Sequence, residues 1–284
     1  MTMPMNLVLV RHGESEGNII QGAANKGDES YYEADESLVT VPDYRWRLTS
    51  QGVAQAKQAG SWISHNILQE NETFDRFITS PYLRTRETAG NLGLTDAQWE
   101  ENRSVRERFW GEIGSIPRSV FLREYPHNSH YKEIDPLYWA PPGGESISDV
   151  AENRVRNLLS TLHRENSEQN VIVVTHGEFI WASRLTIERW RDEEFVEYDN
   201  NPDMKIHNCQ VIHYTRINPE TGQVAPRLQW VRRMTPTNNG NVVEEWQEFG
   251  RTRYSNDDLL EYVETLPVLV TPKKRRTRKR STQE

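Results

Sequence analysis

The sequence Asn6-Leu-Val-Leu-Val-Arg-His-Gly-Glu-Ser-Glu-Gly-Asn18 decides the fold, because an uninterrupted apolar run ends abruptly in polar and small residues. The apolar residues 7–10 are typical of a strand that is buried on both faces of a parallel sheet. Ligands of open α/β sheets bind beyond the carboxyl ends of the strands, where Arg11 and His12 would lie. Arginine binds phosphate or carboxylate through two donors. This end of the strand therefore predicts an anion site that contains a histidine.

Three further residues of this stretch suit the same anion site. Gly13 allows the backbone to approach a ligand closely, and Ser15 and Asn18 carry hydrogen-bonding side chains. We therefore predict that Gly13, Ser15 and Asn18 contact the substrate. A single histidine after a strand is more often structural than catalytic, so this interpretation depends on matching residues elsewhere in the chain.

A second apolar run ends in the same way as the first. Residues 171–174 are Val-Ile-Val-Val, and Thr175, His176 and Gly177 follow them directly. Residues that follow neighbouring parallel strands lie at the same edge of a sheet, so we expect His176 and Gly177 beside His12, with Gly177 in contact with the substrate. The two histidines are thus predicted to belong to one site.

An arginine-bearing helix is expected between these two strands. A short strand over residues 74–79 precedes Ser80 and Pro81, which suit the cap and the first position of a helix. A helix N-terminus favours a bound anion. Arg84 and Arg86 are two positions apart and point to different sides of the helix, so one can face the site while the other is solvated.

Together these motifs resemble those of the histidine phosphatase superfamily, which has the phosphoglycerate mutase-like fold. Arg-His-Gly at 11–13 resembles the nucleophile motif, the segment at 80–88 is similar to the arginine motif, and Thr-His-Gly at 175–177 resembles the second histidine motif. The resemblance extends over about residues 5–215. It implies an α/β three-layer sandwich in which helices flank a mostly parallel central sheet.

The resemblance also implies a role for each charged residue of the site. His12 attacks phosphorus and becomes phosphohistidine, while Arg11, Arg84 and a positively charged or hydrogen-bonding His176 hold the phosphoryl oxygens. Because the arginines neutralise the phosphoryl charge, we expect no metal ion and no cofactor.

Glu107 corresponds in this resemblance to the glutamate that protonates the leaving group. Gly111 follows it at the family's spacing of four residues. The role of a general acid requires a raised pKa, which neighbouring positive charges would oppose. We therefore expect the side chains of Arg106 and Arg108 to point away from Glu107.

Water or a second substrate can accept the phosphoryl group, which separates a phosphatase from a mutase. Cofactor-dependent mutases carry a tryptophan at the position of Gly17 and a Phe-x-Gly-Trp-x-Asp pattern after it, and this chain has neither. We predict a metal-independent, acid-type histidine phosphatase that hydrolyses small phosphomonoesters. Mutase-type phosphoryl transfer is the alternative, and a non-catalytic module that binds through its basic tail is the less favoured one.

Composition and charge limit the remaining possibilities. The 284 residues have a net charge of −8, but residues 271–284 hold seven Lys or Arg against one acid, so an acidic body precedes a basic tail. The single cysteine, Cys209, excludes an internal disulfide and a Cys–His metal cluster. We find no apolar stretch of membrane-spanning length and no secretion signal, and therefore expect a cytoplasmic protein with no membrane contact.

The chain is expected to form a histidine phosphatase domain over residues 1–235, an extension over 236–270 and a basic tail over 271–284. Runs of like charge are mostly disordered, so we expect disorder in the tail. Contact of residues 273–280 with nucleic acid or with a nuclear import receptor, and with it a nuclear location, stays open. Residues 19–45 form a long connection beside the predicted site and are expected to face the substrate. The sequence does not indicate an oligomeric state.

Overall fold

A computed structural model describes residues 1–34, 41–68, 72–114 and 116–270 of the chain. The predicted basic tail, and residues 35–40 of the predicted substrate-facing connection, lie outside the described residues. The chain divides into two compact units, Met1–Gly250 and a second one that begins at Arg251.

The first unit is built on a mixed β-sheet. Along the chain its strands are β1 (Asn6–Arg11), β2 (Arg76–Thr79), β3 (Trp99–Glu101), β4 (Asn170–Thr175), β5 (Val211–Thr215), β6 (Trp230–Thr237), β7 (Gly240–Val243) and β8 (Gln247–Glu248). Strands β3, β2, β4 and β1 lie side by side in parallel. Strands β5, β6 and β7 continue the sheet in antiparallel orientation, and β8 pairs with β6.

Helices cover both faces of this sheet. In the first unit they are α1 (Glu16–Ala24), α2 (Ser30–Ala34), α3 (Ser50–Asn66), α4 (Leu83–Asn91), α5 (Arg118–Glu124), α6 (Pro126–Ile134), α7 (Ile147–Asp149), α8 (Arg156–Glu165), α9 (Gly177–Arg184) and α10 (Asp192–Asp199). A π-helical segment, Val150–Val155, joins α7 to α8, and another, Leu185–Arg189, extends α9.

The side chains of β1 alternate between two separate cores. Leu7 and Leu9 pack on the face that is covered by α8 and α9. Val8 and Val10 pack on the opposite face, which is covered by α3 and α4. The fold is therefore a three-layer α/β sandwich, which confirms the predicted fold class. Burial on both faces also accounts for the uninterrupted apolar runs of β1 and β4.

Helix α4 begins later than the sequence predicts. Its N-cap is Tyr82, so the prediction of Ser80 as the cap and Pro81 as the first helical residue is wrong. The Oγ of Ser80 instead lies 2.8 Å from Nε2 of His176, a residue that is 96 positions away in the sequence. Local helix signals contain no information about such a distant partner, which explains the error.

Part of the connection that follows β1 is helical, although its sequence shows little apolar periodicity. Ser15 is the N-cap of α1, and its backbone N–H and its Oγ both donate to Oδ1 of Asn18 at 3.2 Å. Ile20 and Ala24 are the buried residues of this helix. Capping at the first turn thus starts a helix that the pattern of apolar residues did not reveal.

The second unit contains α11 (Asn256–Glu264). Its N-cap Ser255 accepts a hydrogen bond from the backbone N–H of Asp258 at 3.1 Å. Among the residues that the structure describes, none of the helices has both the length and the apolar character needed to cross a bilayer.

Candidate active site

The carboxyl ends of β1 and β4 bring two histidines together. The strands pair in parallel with Arg11 opposite Thr175, so the residue that follows each strand lies at the same edge of the sheet. These residues are His12 and His176, and their ring centroids are 5.2 Å apart. The two side chains are 2% and 0% exposed. The structure therefore places both histidines in one buried site.

The hydrogen bonds of His12 place the ring proton on Nδ1 and leave a lone pair on Nε2. Nδ1 donates to the carbonyl oxygen of Gly13 at 2.8 Å, and Nε2 accepts a hydrogen bond from Nε of Arg84 at 3.3 Å. Burial holds the pKa of His12 well below its usual value, and the charges of Arg84 and Arg11 lower that pKa further. A neutral imidazole with an available Nε2 lone pair has the state that a nucleophile needs.

Two arginines supply the positive charge of the site. Arg84 is 5% exposed, and its Nη1 donates to the carbonyl oxygen of Asp43 at 2.7 Å. Arg11 donates from Nη1 to the carbonyl oxygen of Ile206 at 2.6 Å, while its buried Nε has no hydrogen-bond partner among the described residues. The side chain of Arg86 lies at the surface and is 47% exposed. Of the two helix arginines, the structure thus brings Arg84 to the site and leaves Arg86 outside it.

His176 is oriented so that its Nδ1 atom faces the site. Oγ of Ser80 accepts the backbone N–H of Tyr82 at 3.4 Å and lies 2.8 Å from Nε2 of His176, so Nε2 is engaged by the serine and Nδ1 is the ring nitrogen left for the site. That atom is buried, lacks a hydrogen-bond partner among the described residues and lies 3.8 Å from Oε2 of Glu107. Burial, followed by the charge of Arg84, holds the pKa of His176 well below its usual value. This favours the hydrogen-bonding role over the positively charged one.

Glu107 lies beside the two histidines and has a raised pKa. Its side chain is 14% exposed, and Oε1 accepts the backbone N–H of Arg108 at 2.9 Å. Burial and the nearby charge of Glu178 raise the pKa of Glu107 to about 7. Such a carboxyl group exchanges a proton near neutral pH, as a group that acts first as an acid and then as a base must do.

The arginines on either side of Glu107 are paired with other carboxylates. Nη2 of Arg106 lies 3.3 Å from Oε1 of Glu145, and Nη1 of Arg108 lies 3.0 Å from Oε2 of Glu178. Both guanidinium groups thus make their ion pairs with carboxylates other than Glu107, as a raised pKa of Glu107 requires.

The loop that carries Glu107 is held in place by a buried arginine and a glycine. Arg154 donates from Nη1 to the carbonyl oxygen of residue 106 at 2.8 Å, and its Nη2 lies 3.2 Å from Oε2 of Glu145. Gly111 has a φ of 55°, and a Cβ there would overlap the backbone of residues 142–144. The family spacing between Glu107 and Gly111 therefore has a steric basis.

The two glycines predicted to contact substrate make room for neighbouring groups. A Cβ at Gly13 would overlap the carbonyl group of Gly52 in α3, and the N–H of Gly13 donates to Oγ1 of Thr88 at 3.0 Å. A Cβ at Gly177 would lie 3.3 Å from Nε of Arg11, so the guanidinium packs directly on this glycine. In the structure, the contacts of both glycines are with protein groups that shape the site.

Ser15 and Asn18 bond to each other, and an unpredicted residue joins them. Asn208 donates from Nδ2 to Oδ1 of Asn18 at 3.0 Å and to the carbonyl oxygen of His12 at 3.2 Å. Asn208 itself precedes β5, which begins at Val211. No local signal marks Asn208, because its partners lie at least 190 residues away in the sequence.

Two further residues that the prediction left out border the site. The ring of Tyr82 is 4.9 Å from the ring of His176, and Cζ of Arg84 is 4.8 Å from the centroid of Tyr82. Oδ2 of Asp43 lies 3.7 Å from Nη2 of Arg84. In the sequence, Tyr82 lies within the segment at 80–88 that is similar to the arginine motif, and Asp43 lies within the long connection after β1.

The spacing of three side chains in this site is also compatible with a metal ion. The nearest ligand atoms of His12, Glu107 and His176 all lie within 4.8 Å of one another. However, the lone pair of His12 faces Arg84, and the unpartnered Nε of Arg11 is buried. Positive groups at that distance favour an anion over a divalent cation.

The negative charge of a phosphoryl group complements the two arginines of the site. Comparison with known protein families points to the same kind of ligand. The histidine phosphatase superfamily (branch 1) matches residues 7–224 of the chain. The chain belongs to this superfamily, as its motifs predict.

Relatives within the superfamily carry different names. A phosphoglycerate mutase-like protein of Arabidopsis thaliana, AT74, is 26% identical over 254 residues, which cover 80% of this chain and 74% of the relative. A 2,3-bisphosphoglycerate-dependent phosphoglycerate mutase of Xanthobacter autotrophicus is 27% identical over 211 residues, which cover 70% of this chain and 89% of the relative.

Solved structures with the same fold include proteins described as phosphatases. A mycobacterial glucosyl-3-phosphoglycerate phosphatase superposes with a TM-score of 0.55 and 18% identity, covering 74% of this chain and 89% of its own. A putative alpha-ribazole-5'-P phosphatase of Escherichia coli gives a TM-score of 0.56 and 19% identity, covering 79% of this chain and 96% of its own. These superpositions show a common fold, and the similarities to known proteins together include both mutases and phosphatases.

Proposed function

We propose that this protein is a metal-independent phosphomonoester hydrolase that works through a phosphohistidine at His12. The proposal is carried by one observation: His12, whose lowered pKa keeps it neutral, and Glu107, whose pKa is raised to about 7, lie in the same site beside two arginines. Nε2 of His12 attacks phosphorus and the ester P–O bond breaks. Glu107 gives its proton to the departing oxygen, and the alcohol leaves.

The second step releases inorganic phosphate. The carboxylate of Glu107 takes a proton from water as the water oxygen attacks phosphorus, and the P–N bond to His12 breaks. Throughout, the phosphoryl oxygens are held by donors that lack protein partners among the described residues, Nε of Arg11 and Nδ1 of His176. Arg84 joins them when phosphorus replaces it at Nε2 of His12. Fixed donors of this kind stabilise developing charge without having to reorganise.

The surroundings of Gly17 favour hydrolysis over mutase-type transfer. A Cβ at Gly17 would overlap the ring of Trp46, which belongs to the chain just before α3. The space beside Gly17 is thus taken, and the tryptophan of the cofactor-dependent mutases would not fit there without movement. Mutase-type transfer is the alternative, because several relatives carry that name.

The test is hydrolysis of nitrophenyl phosphate in EDTA by the wild type, His12→Ala and His130→Ala. His130 is a matched control, because its side chain is 72% exposed. We expect activity that survives chelation in the wild type and the control and falls by at least about 1,000-fold in His12→Ala. Activity that needs a metal, or that persists in His12→Ala, would contradict the proposal. Isomerisation of a phosphorylated acid faster than phosphate release would establish the mutase alternative.

A small phosphorylated substrate and a cytoplasmic location are part of this proposal. The contact of residues 273–280 with nucleic acid or an import receptor is a separate proposal that rests on their charge alone. It is tested by comparing nucleic-acid and import-receptor binding of the full chain with that of a chain that ends at residue 270, which should lose this binding. We expect the shorter chain to keep full hydrolysis, since the proposed site residues all lie in the first unit. A full chain that binds through its tail but hydrolyses no phosphomonoester would support the tail-driven alternative.

A further inference from the structure

Tyr44 and Tyr82 together form an aromatic wall beside the site. Their ring centroids are 6.2 Å apart with an interplanar angle of 59°. Tyr44 belongs to a 3₁₀ turn, Asp43–Arg45, and is 43% exposed. The wall therefore joins a residue of the arginine motif to a residue of the connection after β1.

The wall lies on the side of the site from which the leaving group departs. In-line transfer places the leaving oxygen opposite His12, next to the acid Glu107. His176 touches both features: its Nδ1 is 3.8 Å from Glu107, and its ring is 4.9 Å from Tyr82. A leaving group that receives its proton from Glu107 therefore lies next to Tyr82.

Tyr82 offers a rigid and uncharged surface. Its ring contacts both the guanidinium of Arg84 and the imidazole of His176, at 4.8 and 4.9 Å between centres. Burial and the charge of Asp43 raise the pKa of its hydroxyl to about 12, so the phenol stays neutral. A ring that is already immobilised loses little entropy when it stacks on a ligand.

The charges around the leaving group disfavour a second anion. Arg106 and Arg108, the arginines nearest Glu107 in the sequence, are already paired with Glu145 and Glu178. Asp43 and Glu178 are in turn the partners of Arg84 and Arg108, at 3.7 and 3.0 Å. A carboxylate or a second phosphate on the leaving group would therefore have to displace a protein carboxylate from one of these arginines.

We propose that the aromatic wall selects phosphomonoesters whose leaving group carries an uncharged aromatic ring. This inference rests on the proposed function, because it concerns the substrate of the same site. It assigns Tyr82 and Tyr44 as specificity residues, with Tyr82 making the larger contribution because its ring contacts His176 and its hydroxyl lies within range of the charge of Glu107. Substrates with short, anionic leaving groups are the disfavoured class.

Binding of two inert phosphonates to the full chain tests the proposal. Benzylphosphonate and ethylphosphonate replace the ester oxygen with CH2, so their affinities do not depend on turnover. Calorimetry should show benzylphosphonate binding about 10-fold more tightly to the wild type. Tyr82→Leu should keep its affinity for ethylphosphonate and reduce the preference to within about 2-fold, while Tyr82→Phe keeps the preference.

Two further variants complete the design. Tyr44→Leu, at an exposed position, should lower the preference by about 3-fold. Tyr254→Leu is the matched control, because Tyr254 is 44% exposed in the second unit and should leave the preference unchanged. If Tyr82→Leu misfolds and binds neither phosphonate, the binding preferences of Tyr44→Leu and Tyr82→Phe test the proposal instead. An unchanged preference in both leucine variants, or tighter wild-type binding of 3-phosphonopropionate than of benzylphosphonate, would overturn the proposal.

Turnover separates this inference from the function on which it rests. A wild type that prefers benzylphosphonate but hydrolyses no monoester would contradict the proposed hydrolase function and would still support the proposed role of the aromatic wall. A wild type that hydrolyses phenyl phosphate and phosphoserine equally well, with neither rate altered by Tyr82→Leu, would refute the wall and leave the hydrolase intact.

Discussion

Nδ1 of His176 lies 3.8 Å from Oε2 of Glu107, and burial shifts the pKa of each group in the direction that favours its neutral form. Burial raises the pKa of Glu107 to about 7 and holds that of His176 well below its usual value. Near neutral pH, the pair therefore contains a neutral imidazole and a carboxyl group that is protonated about half of the time. This balance has consequences for catalysis and for stability.

Replacing Glu107 with Gln should affect poor leaving groups far more than good ones. We expect kcat to fall roughly 100- to 1,000-fold for an alkyl phosphate and less than about 10-fold for nitrophenyl phosphate, whose leaving group needs little protonation. Because the acid form is the active one in the first step, wild-type kcat/KM on an alkyl ester should fall as pH rises through about 7. The alkaline decline should be absent in Glu107→Gln. An identical pH profile in the two proteins would remove Glu107 from the role of acid.

The same raised pKa should make Glu107 costly to stability. Below about pH 4.5 the carboxyl is protonated in both the folded and the unfolded chain, and it contributes no penalty. As pH rises towards about 7, the unfolded chain loses this proton first, so the free energy of unfolding falls. At about pH 8 the penalty is at most about 3 kcal/mol, and Glu107→Gln should recover much of it. Urea unfolding at about pH 4.5 and pH 8 measures the difference, with Glu220→Gln at the surface as the control.

Arg84 and Arg86 form a natural pair of test and control on one helix. Arg84→Gln removes the guanidinium that touches His12, and kcat/KM should fall roughly 100- to 1,000-fold. Arg86→Gln removes only a surface ion pair with Glu101 and should change kcat/KM less than about 2-fold. Thermal shift with inorganic phosphate gives a second measure: phosphate should raise the Tm of the wild type and of the Arg86 variant, but not that of the Arg84 variant. Equal losses in the two variants would show that Arg84 acts only through bulk charge.

A methyl group should have opposite effects at two glycines. Gly13→Ala places a Cβ against the carbonyl group of Gly52, and the free energy of unfolding should fall by about 2 kcal/mol with a clear loss of activity. Gly90→Ala, inside α4, meets nothing within 4 Å and should stabilise the protein by about 0.5–1 kcal/mol. Denaturant unfolding of the two variants measures both. An active, fully stable Gly13→Ala would mean that α3 moves easily relative to β1.

The sequence predicts best what depends on short stretches of the chain. The buried runs of β1 and β4 and the polar residues that end them follow from local pattern, and His12 and His176 follow from those runs. Arg84 could be selected over Arg86 from the register of a motif. In each case the prediction depends on about ten consecutive residues. The period of the apolar residues and the point where a strand ends can be recognised within such a stretch.

What the sequence missed depends on partners that are distant along the chain. Asn208 supports His12, and Ser80 supports His176, through contacts between residues separated by 196 and 96 positions. Asp43 and Tyr82 border the site only because a turn after the long connection packs on α4. Such contacts produce no periodic pattern in the sequence. In addition, these residue types are common in helix caps and loops, so their presence does not indicate a distant partner.

The strands that carry the two histidines are neighbours in space but remote along the chain, since Asn6 and Asn170 are hydrogen-bonded across 164 positions. During synthesis, β1 emerges long before the strand that completes its parallel pair. Long-range parallel pairing forms slowly, so a nascent or shortened chain that ends before residue 170 holds His12 without His176. The proposed activity should therefore be gained late in folding, and its return during refolding should report the closure of the central sheet.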